Sequence, residues 1–161
     1  MIRAATPADA PAIAALWNPV IRDTAITFNP VEKTPDDIAA MIRDRQAAGY
    51  GFFVGERQGE VQGFATYAQF RSGAGYARSM EHTIILSPMA QGAGLGRALM
   101  TALEDHARTG GAHSLIAGVS AENPAGRAFH AAIGFQEIAV LPQVGHKFGR
   151  YMDLVLMQKF L

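Results

Sequence analysis

The chain has 161 residues, nearly half of them hydrophobic, with 14 basic and 14 acidic side chains and no cysteine. A chain of this length fits one domain that buries roughly two-thirds of its unfolded surface. The balanced charge excludes a general attraction to nucleic acids or anionic lipids, and the lack of cysteine excludes disulfides, a thiolate nucleophile and cysteine-based metal sites. With no apolar leader and no membrane-spanning run, we expect a single cytoplasmic domain, residues 1–161.

Two helices are predicted near the start of the chain. Residues 6–9 (TPAD) and 34–37 (TPDD) each combine a capping hydroxyl, a proline at the first helical position and an acid in the first turn. Apolar residues follow both at helical spacing, and Gly49 is expected to end the second helix. Residues 21–30, between the helices, are predicted to form a loop.

The middle of the chain is rich in strand signals. The segments GFFVGER (51–57) and EVQGFATYAQF (60–70) flank a Gln58-Gly59 hairpin signal. After a glycine-rich connection, MEHTIIL (80–86) has the β-branched composition of a further strand.

Helices and strands alternate in the second half of the chain. An amphipathic helix follows QGAGLG (91–96), then a strand HSLIAGVS (113–120) and a short helix between Asn123 and Gly134. The strands FQEIAVL (135–141) and YMDLVLMQKF (151–160) close the chain, separated by a predicted polar loop, PQVGHKFGR (142–150). This order predicts an α/β fold, with a mixed, mostly antiparallel sheet of about seven strands and helices on both faces.

The glycine-rich loop at residues 91–96 is a candidate anion site. Bare amides before a helix, together with the helix dipole, favour a phosphate group. A dinucleotide fingerprint does not fit, because Arg97 stands where the third glycine would fall and residues 113–121 contain no acid. A P-loop does not fit either, because no Gly-Lys-Ser/Thr follows. From these residues alone an alternative remains: a loop that binds no ligand and whose glycines only turn the chain.

The loop and its surroundings resemble the GCN5-related N-acetyltransferases (GNAT). The resemblance lies in QGAGLG between a strand and a helix, and in NPAGRAFHAAIGF (123–135) after the next strand. The segments LWNPVIRDTAITF (16–28), GYARSMEHT (75–83), EHTIILSPMAQGAGLGRALM (81–100) and LPQVGHKFGRYMDLVLMQ (141–158) resemble one branch, the phosphinothricin and methionine-sulfoximine N-acetyltransferases. The similarity covers nearly the whole chain. Tyr151 replaces a tryptophan that is usual in this branch, and His146 stands at a position that is more often apolar, so both bear on the identity of the acetyl acceptor.

The resemblance implies a GNAT fold, acetyl-CoA as co-substrate, no metal, an amino-acid-like small molecule as acetyl acceptor, and a homodimer. The residues it implies for binding acetyl-CoA are Ile84, Ile85, Leu86, Gln91, Gly92, Ala93, Gly94, Leu95, Gly96, Arg97 and Asn123. Among these, main-chain amides of residues 84–86 would polarise the thioester carbonyl. For Asn123, a role as helix N-cap competes with a contact to pantetheine, and both are compatible.

Glu81 is the expected general base, because the resemblance implies that it stands at the position of the acid that this branch uses, and because it lies on the strand that leads to the glycine loop. The attacking amine needs a base, because an ammonium has no lone pair. His82 should point to the opposite face of the strand, which favours a structural role. For His130 two readings stay open: it is a catalytic acid that protonates the departing thiolate, or a packed, hydrogen-bonded side chain.

The resemblance implies that an arginine and the loop before the catalytic strand hold the carboxylate of the acetyl acceptor, for which the fork of an arginine is suited, and Phe28 offers an apolar wall. The candidates are Phe28, Arg71, Ala74, Gly75, Tyr76 and Arg78, with Trp17 as a further apolar wall. Two alternatives remain at this stage: an acetyltransferase for peptide N-termini or another small amine, and a CoA-binding protein without catalytic activity.

Overall fold

One seven-stranded sheet with four α-helices forms the protein in a computed structural model that describes residues 1–161. The strands lie side by side in the order β1-β2-β3-β4-β5-β7-β6, and every neighbouring pair is antiparallel except β4 and β5. This confirms the predicted fold class. The strands are β1 Ile2–Ala4, β2 Phe52–Arg57, β3 Glu60–Gln69, β4 Ser79–Leu86, β5 Ser114–Ser120, β6 Gln136–Lys147 and β7 Arg150–Phe160, and the helices are α1 Ala10–Asp23, α2 Pro35–Ala47, α3 Leu95–Thr109 and α4 Pro124–Ala132.

Two elements differ from the sequence-based expectation. Strand β1, which pairs with β2, was not predicted, because three residues are too short to show a period. The predicted loop at residues 142–150 is wrong: β6 continues to Lys147, with a register shift between Leu141 and Gly145. Pro142 and Gly145 are residues typical of a loop, but this strand lies at the edge of the sheet, where bulges and prolines are tolerated.

The predicted start and end of the second helix have the expected geometry, whereas the Thr6 hydroxyl makes no capping hydrogen bond at the first. The Thr34 hydroxyl accepts a hydrogen bond from the Asp37 amide at 3.1 Å, and the Asp37 carboxylate accepts one from the Thr34 amide at 3.0 Å. Gly49 has φ +83° just beyond the end of α2. At the first site a short 3-10 turn, Pro7–Asp9, precedes α1.

The two faces of the sheet bury separate hydrophobic clusters. The α3 face holds a cluster that includes Leu99, Leu103 and Val155, and the α1–α2 face holds one that includes Ile13 and Ile85. Side chains alternate along a strand, so residues 81, 83 and 85 of β4 lie on the α1–α2 face and residues 82, 84 and 86 on the α3 face. None of the helices is long and apolar enough to cross a membrane.

The parallel strands β4 and β5 separate soon after they meet. Their ladder contains only the pairs Ser79↔Ser114, Met80↔Leu115 and Glu81↔Ile116. Beyond this point β4 stays paired with β3, and β5 stays paired with β7. The wedge-shaped gap that opens between residues 82–86 and 117–120, called the strand fork below, positions the candidate site.

Candidate functional site

Two adjoining cavities occupy the strand fork and the groove beside it. The smaller, about 170 Å³, lies between residues 82–85 of β4 and residues 117–119 of β5. The larger, about 540 Å³, extends from the fork to the glycine loop and α4. Five residues line both cavities, which join them into one continuous groove: Ile26, Ile84, Ile85, Asn123 and His130.

The glycine loop presents open backbone to the larger cavity. Gly92 and Gly94 have φ values of +75° and +83°, a region that non-glycine residues rarely adopt. Gly94 is the N-cap of α3, and no side chain caps the helix. The first amides of this 15-residue helix are therefore free for an anionic group. Gly96 allows a close approach, since a Cβ there would lie 3.0 Å from a Leu86 methyl and 3.1 Å from the Phe129 ring.

Most of the predicted cofactor residues line the larger cavity: Ile84, Ile85, Leu86, Gln91, Gly92, Gly94, Gly96, Arg97 and Asn123. Ala93 is exposed outside it, and Leu95 packs into the α3-side core instead. Asn123 is also the N-cap of α4, accepting a hydrogen bond from the Gly126 amide at 3.0 Å. Sequence reasoning did not include the remaining lining residues, Val20, Ile26, Ala125, Gly126, Phe129, Ala132 and Ile133, because apolar residues of a short helix are usually core.

Two main-chain amides of β4 point into the strand fork. The Ser87 amide donates to the Gln62 carbonyl at 2.8 Å, and the Ser79 carbonyl accepts from the amide of Phe70, just after β3, at 2.9 Å. Because hydrogen-bonding directions alternate along a strand, the odd-numbered residues of β4 face β3. The amides of Ile84 and Leu86 then face the fork, whereas that of Ile85 belongs to the β3 ladder.

Glu81 lies where the fork begins. Its carboxylate forms no hydrogen bond or ion pair, and a Cβ on Gly118 would lie only 3.2 Å from its Oε2 atom. Partial burial raises the pKa of Glu81, although the residue retains solvent contact, and the positive charge of Arg45 acts in the opposite direction. An unpaired carboxylate with a raised pKa is suited to accept a proton. No cluster of His, Asp or Glu side chains in the structure could hold a metal ion.

His82 and His130 form a buried pair on the opposite face of β4. Each is 7% exposed, and their Nε2 atoms are 2.9 Å apart. His130 Nδ1 lies 2.7 Å from the Gly126 carbonyl oxygen, so this nitrogen must carry the proton. The His130 Nε2 then accepts a hydrogen bond from the Nε2–H of His82, whose Nδ1 has no partner.

Both histidines of the pair are neutral near pH 7. Burial lowers the pKa of His130, and burial together with the neighbouring ring lowers the pKa of His82 to about 3. Because both His130 nitrogens are engaged within the protein, an acid role requires the His82–His130 hydrogen bond to open. The catalytic role of His130 stays a prediction, and the geometry supports a structural role for His82.

The five acetyl-acceptor candidates between β3 and β4 lie outside both cavities. Arg71, Ala74, Gly75, Tyr76 and Arg78 are exposed on the loop between β3 and β4. This loop begins at the end of the ladder where Ala68 pairs with Glu81. Gln69 stabilises it by donating to the carbonyls of Arg71 and Gly73 at 2.6 and 2.7 Å, and the Arg71 guanidinium carbon lies 5.4 Å from the centre of the Tyr76 ring.

The other two acetyl-acceptor candidates come from the helical side. Phe28 packs on Gly145 of β6, where a Cβ would lie 2.5 Å from its ring. Trp17 lines the smaller cavity. His146 and Tyr151 pair across β6 and β7, on the face of the hairpin opposite to that of Gly145 and Met152.

Comparison with known proteins agrees with this geometry. Residues 17–135 match the model of the acetyltransferase (GNAT) family. The L-methionine sulfoximine/L-methionine sulfone acetyltransferase of Salmonella typhimurium is 40% identical over 98% of this chain and 92% of its own length. The phosphinothricin N-acetyltransferase of Alcaligenes faecalis is 35% identical over 94% of this chain and 77% of its own length.

A solved structure extends the similarity to three dimensions. A putative acetyltransferase from Salmonella typhimurium, solved with its cofactor acetyl-CoA, superposes with a TM-score of 0.95 and 39% identity, covering all of this chain and 93% of its own. The family match and the fold agree, and the chain belongs to the GNAT family of acetyltransferases.

Proposed function

We propose that the protein transfers the acetyl group of acetyl-CoA to the α-amino group of a free amino acid or analogue, such as methionine sulfone, methionine sulfoximine or phosphinothricin. The observation that carries this proposal is the continuous groove from the α3 amides into the strand fork, which opens directly after the Glu81↔Ile116 pair. The similarity to acetyltransferases of these three compounds supports the substrate class. Because one sheet includes strands from Ile2 to Phe160, we assign the activity to a single domain of residues 1–161.

The residues of the larger cavity suit acetyl-CoA. The free amides at the start of α3 would bind its diphosphate, and Arg97, exposed in the first turn, adds positive charge. The amides of Ile84 and Leu86 would then lie along the part of the groove that receives the thioester. As hydrogen-bond donors fixed in a strand, they stabilise an oxyanion without reorganising.

The reaction we propose is direct attack of the amine on the thioester. Glu81 removes a proton from the ammonium, itself or through a water molecule, and the amine nitrogen forms a bond to the carbonyl carbon. The carbon–sulfur bond then breaks, and the sulfur leaves as a thiolate. The nitrogen gives up its second proton as the amide forms, and the thiolate takes up this proton directly or through solvent. The raised pKa of Glu81 supports this role, because it brings the carboxylate closer to the pH at which it works.

We also propose that the protein is a cytoplasmic homodimer. Strand β6 is a 12-residue edge strand with no partner on its outer side. Six apolar side chains of the β6–β7 hairpin are more than half exposed: Ile138, Val140, Val144, Phe148, Tyr151 and Phe160. A long apolar edge of this kind favours association. Light scattering should give twice the 17.2 kDa chain mass; a single-chain mass at micromolar concentration would contradict the dimer.

A thiol-release assay across a panel of acetyl acceptors tests the activity. Since the chain has no cysteine, a thiol reagent reports only the CoA that is released. We expect turnover with methionine sulfone, methionine sulfoximine and phosphinothricin, and little with short peptides. Faster turnover with peptides than with amino acids would contradict the proposed substrate class and favour an acetyltransferase for peptide N-termini. Heat of acetyl-CoA binding without turnover would indicate a non-catalytic CoA-binding protein, and absence of binding heat would overturn the whole proposal.

A further inference from the structure

We infer that Lys147 is a positioning residue for the acetyl acceptor. It fastens the loop between α1 and α2 to the β6–β7 hairpin and so fixes one wall of the fork. The inference rests on the proposed function, since it assigns the acetyl-acceptor side of that same site. It depends on two separate contacts between loop and hairpin, together called the latch: Lys147 with Thr24 and Thr27, and Phe28 with Gly145.

The first contact is made by a buried ammonium. Lys147 is 4% exposed, and its Nζ donates to the carbonyl oxygens of Thr24 at 2.6 Å and Thr27 at 2.8 Å. Hydrogen bonds from a charged donor are stronger than neutral ones. The partners lie more than 100 residues away in the sequence, so the contact joins distant parts of the chain.

Lys147 has no carboxylate partner. No ion pair in the structure includes it, and burial lowers its pKa. Lysine is rarely buried unless it is paired, because removing its charge from water is costly. The compensation here comes from main-chain dipoles, including the negative end of α1, whose C-cap is Thr24. A buried charge of this kind contributes little to stability, but its two hydrogen bonds fix the path of the loop.

The second contact requires a glycine. The Phe28 ring lies directly on the backbone of Gly145, where a Cβ would come within 2.5–2.7 Å of three ring atoms. Gly145 has no unusual φ, so the requirement is space for the ring. This contact is apolar and that of Lys147 is polar, and both join the same loop to the same hairpin.

Residues of the loop that the latch holds in place line the site. Ile26 lines both cavities and Thr27 lines the smaller one. The latch also lies on the Glu81 side of the sheet: Gly145 pairs with Met152, and Leu154, on the same face, lies 3.5 Å from the position of a Gly118 Cβ, next to Glu81. A shift of this loop would therefore move the wall that faces the proposed base.

The variant Lys147→Met tests the latch, since methionine keeps most of the volume and removes the ammonium. We expect KM for the amino-acid acceptor to rise about 10- to 100-fold, as for a group misplaced by about 1 Å, with the acetyl-CoA Kd changed less than about twofold. Lys159→Met is the matched control, because Lys159 also donates from a part-buried ammonium, to the Ile133 carbonyl and Glu104, both at 2.8 Å. The control should leave the acetyl-acceptor KM unchanged.

Gly145→Ala tests the second contact and keeps the inference falsifiable if Lys147→Met fails to fold. It should also raise the acetyl-acceptor KM, and the effects of the two substitutions should be less than additive. Unchanged acetyl-acceptor KM in both single variants, or an equal change with Lys159→Met, would overturn the inference.

Hydrogen exchange separates failure of the latch from failure of the proposed function, because it needs no substrate. The amides of residues 24–28 should exchange faster in Lys147→Met than in the wild type, and at the wild-type rate in Lys159→Met. If the wild type acetylates none of the amino acids, the proposed function fails, and this exchange pattern still reports on the latch. Unchanged exchange in Lys147→Met would overturn the latch itself.

Discussion

Substitution Glu81→Gln removes the proposed base without changing its shape. The carboxylate makes no hydrogen bond or ion pair that the amide could lose, and its neighbour Gly118 offers only backbone. We therefore expect a folded variant with the wild-type melting temperature. Acetyl-CoA binding should also be preserved, because Glu81 lines neither cavity.

The expected loss of rate follows from the role of the group. A positioned general base contributes about 100- to 10,000-fold, which corresponds to about 3–5 kcal/mol of activation free energy. The side chain is open to solvent, so water replaces part of its function, and we expect a loss near the lower end of this range. The effect should fall on kcat more than on the acetyl-CoA Kd.

The pH profile of the wild type provides an independent measurement. Glu81 acts as a base only when it is deprotonated. Because partial burial raises its pKa, kcat/KM should fall on acidification at a higher pH than an ordinary glutamate would give. The acidic limb should disappear in the glutamine variant. Thiol release measured between pH 5 and 9, with calorimetric titration of acetyl-CoA at pH 7, covers both expectations.

One outcome would refute this reasoning. If Glu81→Gln retains kcat within about threefold of the wild type (below the contribution of a general base) and keeps the acidic limb, Glu81 is not the base. A variant that loses acetyl-CoA binding as well would show that the carboxylate supports the groove.

Three further predictions concern the fork and its surroundings. Gly118→Ala should lower kcat/KM about tenfold without loss of melting temperature, because the new Cβ lies 3.2 Å from the Glu81 carboxylate; a wild-type rate would show that the space is not used. Gly96→Ala should weaken acetyl-CoA binding in calorimetry, since its Cβ meets the Phe129 ring at 3.1 Å; unchanged Kd would contradict this. The pKa of His82 is lowered to about 3 in the folded protein, whereas an unperturbed histidine has a pKa of about 6.5. Below about pH 6.5 the unfolded chain therefore binds a proton that the folded protein does not bind, and the free energy of unfolding should fall by about 1.4 kcal/mol per pH unit. Denaturant titrations at pH 5 and 7 should show a smaller fall in the free energy of unfolding for His82→Phe than for the wild type; equal falls would be evidence against this role of His82.

The sequence predicted the elements whose signals are local. Capping at Thr34, the stop at Gly49 and the glycine loop before α3 depend on residues within one or two turns of each other. Strand β1 was missed because its three residues acquire their structure only by pairing with β2. The end of β6 was missed for the same reason: Pro142 and Gly145 are typical of a loop, and the strand forms because it pairs with β7.

The site was predictable where backbone geometry defines it. The glycine loop and β4 supply most of the predicted cofactor residues that line the larger cavity, because their order along the chain places them together. The wall formed by α4 and the contacts of Lys147 could not be predicted, since they depend on tertiary packing over long sequence separations. The neutral His82–His130 pair also has no sequence signal, because the two residues are 48 positions apart.

The fork has a mechanical consequence for the protein as a whole. Within the sheet only three residue pairs connect β1–β4 to β5–β7, and the hydrophobic cluster on the α1–α2 face has no member beyond Ile85, so the two halves are otherwise joined mainly by the cluster on the α3 face. A ligand that contacts both β4 and β5 at the strand fork therefore stabilises the two halves relative to each other. Acetyl-CoA should protect residues remote from its own contacts, and raise the melting temperature in proportion to the logarithm of its concentration once the site is saturated.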